Sequence, residues 1–166
     1  MKSGRFIGLG LIIYGAWYVL YQYLLIDSFV LDEALIHSLV CGGEWLLSAL
    51  GEELTAGPSS GWRNRIGIIG SRGALSIGAA CDGLVLFALF AAFVLAFPGN
   101  WRRKIWFIPA GMALLHVANL SRVVALTWVH RYHPDALAFN HDYTFTVLVY
   151  GVVFYLWYLW VEKLSS

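Results

Sequence analysis

The stretches 6–26, 84–97, 105–129 and 143–161 are predominantly apolar, and a chain of 166 residues has nothing with which to cover them in water. Lipid can cover them. About 20 consecutive apolar residues cross the roughly 30 Å hydrocarbon layer of a bilayer as a helix. Composition agrees: 60% of the residues are hydrophobic and 13% charged, against about 45–50% and about 25% in soluble domains. The expected fold is an all-α membrane protein, one integral membrane domain over 1–166, with about four transmembrane helices at 6–26, 82–97, 105–129 and 143–161. The run 84–97 (LVLFALFAAFVLAF) ends at Pro98-Gly99, a strong stop, and is short for a span. It must extend backward through Cys81, tilt, or sit in a thinned bilayer. Eight Trp and nine Tyr suit two interfacial belts.

The segment 31–50 is less apolar. It carries Asp32, Glu33, His37 and Glu44, while leucines at 31, 35, 39, 46 and 50 recur at helical spacing. That pattern favours an amphipathic helix in the membrane interface, with a buried fifth span as the other option. Residues 57–61 (GPSSG) form a loop. Residues 65–69 and 74–77 flank Gly70-Ser71-Arg72-Gly73, which predicts a short β-hairpin leading to Cys81. The N-terminal apolar run is as long as a span and no small-residue cleavage site follows it, so it reads as an uncleaved first helix.

With four spans both chain ends share a side. That side holds Lys2, Arg5, Arg102, Arg103, Lys104 and Lys163, six of the eleven basic residues, and the other holds every acidic residue but Glu162. By the positive-inside rule the termini and the 98–104 turn are expected in the cytoplasm, and 27–80 and 130–142 outside a cytoplasmic (inner) membrane. A net charge of +1 without a basic stripe excludes a nucleic-acid partner. No phosphate loop or serine nucleophile elbow occurs, and no cofactor or metal is called for. Two cysteines allow one bridge, or one reactive thiol and one bystander. Cys41, beside Gly42-Gly43, is expected to pack against a neighbouring helix.

Polar residues within apolar helices are costly and therefore informative. Four-span topology brings several to one depth: Cys81 and Asp82 opening the second span, Asn119 and Arg122 near the outer end of the third, and His141 and Asp142 opening the fourth. Asn119 and Arg122 are three apart and share a helix face.

Cys81 in Ala80-Cys81-Asp82-Gly83-Leu84, Arg122 in Asn119-Leu120-Ser121-Arg122, and His141 before the last span together resemble the exosortase/archaeosortase family. The resemblance runs from about residue 66 to the C-terminus, over a chain short for that family. Each motif alone is weak; their order, spacing and membrane context are more specific. Asp82 departs from the pattern, which more often has Ser or another small polar residue there. The resemblance implies a multi-pass cysteine transpeptidase with Cys81 as nucleophile and Arg122 and His141 as the other catalytic residues. It also implies partner substrates that carry a C-terminal motif, a transmembrane helix and a basic tail.

The chemistry of the residues is compatible. A thiol attacks as thiolate, which backbone N–H groups at a helix start and a nearby cation stabilise. His141 suits a base that later protonates a departing amine. Arg122 stays protonated and suits an oxyanion or the thiolate. Asp82 could pair with Arg122 or cap the helix, but its charge beside Cys81 would oppose a thiolate. Asn119, Asp82 and Asp142 are read as supporting or substrate-binding residues. The competing reading is a non-enzymatic scaffold or transporter subunit, in which Arg122 and His141 pair with carboxylates and Cys81 only packs; a thiol acyltransferase acting on lipid is a weaker one. Of the other histidines, His116 reads as a core hydrogen-bonder and His130 and His133 as solvated loop residues.

Overall fold

The computed structural model describes residues 3–25, 30–54 and 64–164. The expected loop at 57–61 and the charged residues Lys2 and Asp27 lie outside them. Helix α1 (Ser3–Leu20) runs into a π-helical turn, Tyr21–Leu25. It is followed by α2 (Val30–Ala49), strands β1 (Arg65–Ile66) and β2 (Leu75–Ser76), and α3 (Leu84–Ala96). Then come α4 (Trp101–Tyr132), the one-turn α5 (Leu137–Phe139) and α6 (Phe145–Leu159), which closes in a π-helical turn, Trp160–Leu164. Helices over Phe6–Tyr23, Trp101–Tyr132 and Pro134–Leu164 are long and apolar enough to cross a bilayer. The chain is an all-α membrane protein with a small two-stranded sheet.

The fourth expected span is the 13-residue α3. It does not extend backward as α-helix, because Ala79–Cys81 forms a 3-10 turn and Gly83 takes a left-handed φ of 95°. Helix α4 is longer than the expected 105–129. Asn100 accepts a hydrogen bond from the Arg102 N–H (2.9 Å) and so starts the helix four residues earlier, drawing the basic turn into it. Lys104 is therefore buried rather than solvated, and its Nζ donates to the Leu95 and Phe97 carbonyls at 2.8 and 2.6 Å. These are carbonyls that the end of α3 leaves without a helical partner.

At about 1.5 Å per residue, the 32 residues of α4 reach about 48 Å, well beyond a hydrocarbon layer of about 30 Å. Its two halves serve two cores. The first half contributes Leu115 to a cluster with Phe90 and Val94 of α3, Val153 and Leu156 of α6, and Trp160. The second half contributes Val123 to a cluster with Leu39, Val40 and Leu47 of α2 and Ile66, Ile68 and Ile77 of the hairpin region. Helix α2 runs parallel to that second half: a Cβ on Gly42 would lie 3.1 Å from Leu120, and one on Gly43 3.8 Å from Val123. Farther along, Glu52 accepts hydrogen bonds from Trp128 Nε1 (2.6 Å) and the Tyr132 hydroxyl (3.0 Å).

The buried face of α2 is rotated from the leucine stripe. Leu31 and Leu50 are exposed, and Asp32, Leu39, Val40, Gly43 and Leu47 are buried. Cys41 is exposed, not packed as expected, with its Sγ 3.6 Å from a ring nitrogen of His37 one turn earlier. The hairpin forms with Arg65 opposite Ser76 and Ile66 opposite Leu75, shorter than expected. The reason is that Ile68 leaves the pair to bridge Leu54.

Gly111 marks the tightest contact of the first core. A Cβ there would lie 2.3 Å from the ring of Phe90, which is fully buried. Gly111→Ala is expected to destabilise the protein by about 1–3 kcal/mol through overpacking. Thermal unfolding of the detergent-solubilised protein would measure it, and adding Phe90→Leu should restore part of the loss.

Candidate active site

The site is built on the turn that carries the chain into α3. The Cys81 N–H donates to the Gly78 carbonyl at 2.8 Å and closes the 3-10 turn. Asp82 Oδ1 accepts from the Leu84 N–H at 2.8 Å, and the left-handed Gly83 turns the chain into the helix. Thus Asp82 caps α3 rather than pairing with Arg122. It also takes one of the free amides that a helix start offers to a thiolate.

Asn119 of α4 anchors this turn. It is 1% exposed and its Nδ2 donates to the Cys81 carbonyl at 2.9 Å. The same amide lies over Gly83, where a Cβ would stand 3.3 Å from Nδ2. One turn along, Arg122 donates from Nη1 to Asn119 Oδ1 (3.5 Å) and from Nη2 to Cys81 Sγ (3.9 Å). Asn119 thus holds the peptide of Cys81 with one end and aims the guanidinium with the other.

His141 comes from the π-helical turn Asn140–Thr144 ahead of α6. Its Nε2 lies 3.6 Å from Cys81 Sγ and its Nδ1 2.8 Å from Asp142 Oδ1. If Nδ1 carries the proton toward Asp142, Nε2 presents a lone pair to the thiol. Cys81, Arg122 and His141, widely separated in sequence, converge on a cavity of about 400 Å³. Asp82, Asn119 and Thr146 also line it, with Val85, Leu86, Phe145 and Val149 on its apolar side. Both cysteines are free thiols.

The remaining histidines lie elsewhere. His116 Nε2 is 3.2 Å from Ser38 Oγ of α2, a tie between helices. His130 is not a solvated loop residue: α4 continues past it, and both its ring nitrogens are buried without a hydrogen-bond partner among the described residues. Two residues that sequence reasoning missed reach the site from behind. Asp32, at the start of α2, is buried against Asp82, and its Oδ1 accepts from the Tyr21 hydroxyl at 2.8 Å. The available signal was the position of Asp32, seven residues before Leu39, on the stripe that turned out to be buried.

The fold and site define a class: a polytopic helical membrane protein with a thiol and an imidazole, from the turns that lead into α3 and α6, gathered against a guanidinium in the second half of α4. The family model of the transmembrane exosortases matches residues 3–161, and the chain belongs to that family. Membership points to a membrane-embedded transpeptidase. No curated protein and no solved structure matches the chain.

Proposed function

We propose that the protein is a membrane-embedded cysteine peptidase or transpeptidase. In this reading it cleaves the C-terminal sorting signals of exported proteins through a thioester on Cys81. The observation that carries it is the approach of His141 Nε2 and Arg122 Nη2 to one sulfur, at 3.6 and 3.9 Å, on the wall of a cavity large enough for a peptide segment. His141 takes the thiol proton at Nε2, and the thiolate attacks the scissile carbonyl carbon. Arg122 stabilises the resulting oxyanion. Collapse breaks the C–N bond, the imidazolium protonates the departing amine, and the acyl group remains on sulfur. Water, an amine or a lipid then takes the acyl group and frees the thiol.

A second, apolar hollow of about 350 Å³ lies beside the cavity, and Arg122, Phe145 and Val149 border both. Small residues of α4, Ala118, Ser121 and Ala125, form its floor. That shape suits the apolar segment of a substrate whose scissile bond enters the polar cavity. Arg102, Arg103 and Lys104 gather with the end of the last helix, where Arg103 Nη1 donates to the Leu164 carbonyl. By the positive-inside rule that end faces the cytoplasm of a cell whose inner membrane holds the protein, and the cysteine faces the other side.

Hydroxylamine tests the thioester. Added to membranes containing enzyme and sorting-signal substrate, it should divert the acyl group to a C-terminal hydroxamate, detected on the substrate by mass spectrometry. Continued cleavage with no hydroxamate would rule out an acyl-enzyme open to external nucleophiles.

A further inference from the structure

Behind the nucleophile lies a second, buried set of polar groups. Asp32 and Asp82 are each 1% exposed, and their carboxyl groups lie within hydrogen-bonding reach of one another. Asp82 uses Oδ1 to cap α3, while its Oδ2 is buried and no donor among the described residues reaches it. Asp32 accepts from the Tyr21 hydroxyl on its outer side. Three chain segments thus meet one residue from Cys81: the end of the first helix, the start of α2 and the entry to α3. Among the described residues, the other titratable or charged groups that line the cavity Asp82 borders are Cys81, Arg122, His141 and Tyr150.

We propose that Asp32 is a positioning residue for the nucleophile: it shares one proton with Asp82, and this carboxyl pair, braced by Tyr21, holds the Cys81–Gly83 turn. Two carboxylates in contact and out of water do not both ionise, so the pair carries one proton and a single negative charge. The shared proton supplies the donor that Asp82 Oδ2 otherwise lacks. It also resolves the conflict of a carboxylate beside a thiolate. The charge is spread over two residues, half of it displaced toward Tyr21, and Asp82 can cap α3 without setting a full charge against the sulfur. The inference rests on Cys81 being the nucleophile.

The test uses the full-length protein in membranes with Cys41→Ser, so that alkylation reports Cys81 alone. Two quantities are read: substrate processing per folded enzyme, and the pH midpoint of Cys81 alkylation by iodoacetamide. An asparagine in place of either acid mimics a protonated carboxyl, since its amide N–H can donate across the pair. Asp32→Asn should keep processing within a few-fold of the parent and should not lower the midpoint, because one negative charge remains, now on Asp82 alone. The double Asn variant removes the remaining charge and should lower the midpoint. Asp32→Ala leaves Asp82 Oδ2 unpaired and should cut processing at least about tenfold, the loss expected when a directed contact of about 1.4 kcal/mol disappears. If both acids were ionised in the parent, Asp32→Asn would remove one of two charges and lower the midpoint part of the way to that of the double variant, and that result would rule out the shared proton. Normal processing and an unmoved midpoint in Asp32→Ala would remove the positioning role. Should Asp32→Ala fail to accumulate, the single and double Asn variants still decide. Processing that survives Cys81→Ala would instead overturn the functional reading itself.

Discussion

Cys81→Ala is expected to abolish substrate processing while the protein still accumulates in the membrane. The two halves of that expectation have separate physical grounds. The sulfur is a minor contributor to the fold: Cys81 is only partly buried, and the turn around it is held by main-chain and Asn119 contacts that alanine retains. Truncating one small side chain there should cost about 1 kcal/mol. For catalysis the sulfur is the atom that bonds to substrate. Neither His141 nor Arg122 can replace it, since one ring nitrogen of His141 is committed to Asp142 and a guanidinium does not attack. The loss should therefore reach the background rate rather than a fraction of it. Cys41→Ser, 40 positions earlier on an exposed face of α2, is the matched control and should process normally. The measurement is the ratio of cleaved to uncleaved substrate, normalised to folded enzyme. A Cys81→Ala protein that still cleaves would move the nucleophile away from Cys81 and overturn the thioester reading.

The parts of this structure that sequence made legible are those set by solvent and helix length. Apolar runs had to be helices, and four runs crossing one bilayer had to bring their ends to common levels. That alone placed Cys81, Asn119, Arg122 and His141 at one depth. Where a partner decided the outcome, sequence was a poorer guide. The leucines of α2 pointed to a face on which Leu31 and Leu50 would be buried. The buried face instead follows Gly43, which admits α4 and the hairpin, and Asp32, which is buried because it meets Asp82. A carboxyl on its own reads as a solvated group. Only its partner, 50 positions away, makes burial affordable. The same holds for Lys104, whose burial depends on the open carbonyls at the end of α3, and for His130, enclosed because the capping of α4 lies beyond it at His133. Asp82 left two options open, and the local one prevailed: a side chain two residues ahead of a helix reaches the N–H of Leu84 more readily than a guanidinium on another helix.

Arg122→Lys is expected to fail almost as badly as Arg122→Ala. Arg122 lies well inside α4, on the face that Asn119 shares, and it spends its two terminal nitrogens on different partners: Nη1 on Asn119 Oδ1 and Nη2 on the sulfur of Cys81. That division needs a planar fork. One nitrogen fixes the plane against Asn119, whose own amide holds the Cys81 carbonyl, and the other is thereby aimed at the place where negative charge develops. An ammonium is a compact point charge on a flexible stem, more strongly hydrated, and able to lose its proton when desolvated. Lysine could reach either partner but not hold both in register. Removing one directed donor to an oxyanion typically costs about 10²–10³ in rate, and Lys should lose most of that. If Arg122 served only as a structural counter-charge, Lys would substitute well, and the defect of Arg122→Ala would appear as less protein rather than less turnover per protein. Processing normalised to folded enzyme in the membrane separates the two. Near-normal turnover by the Lys variant would leave Arg122 as scaffold and leave the oxyanion to be met by other donors at the cavity wall.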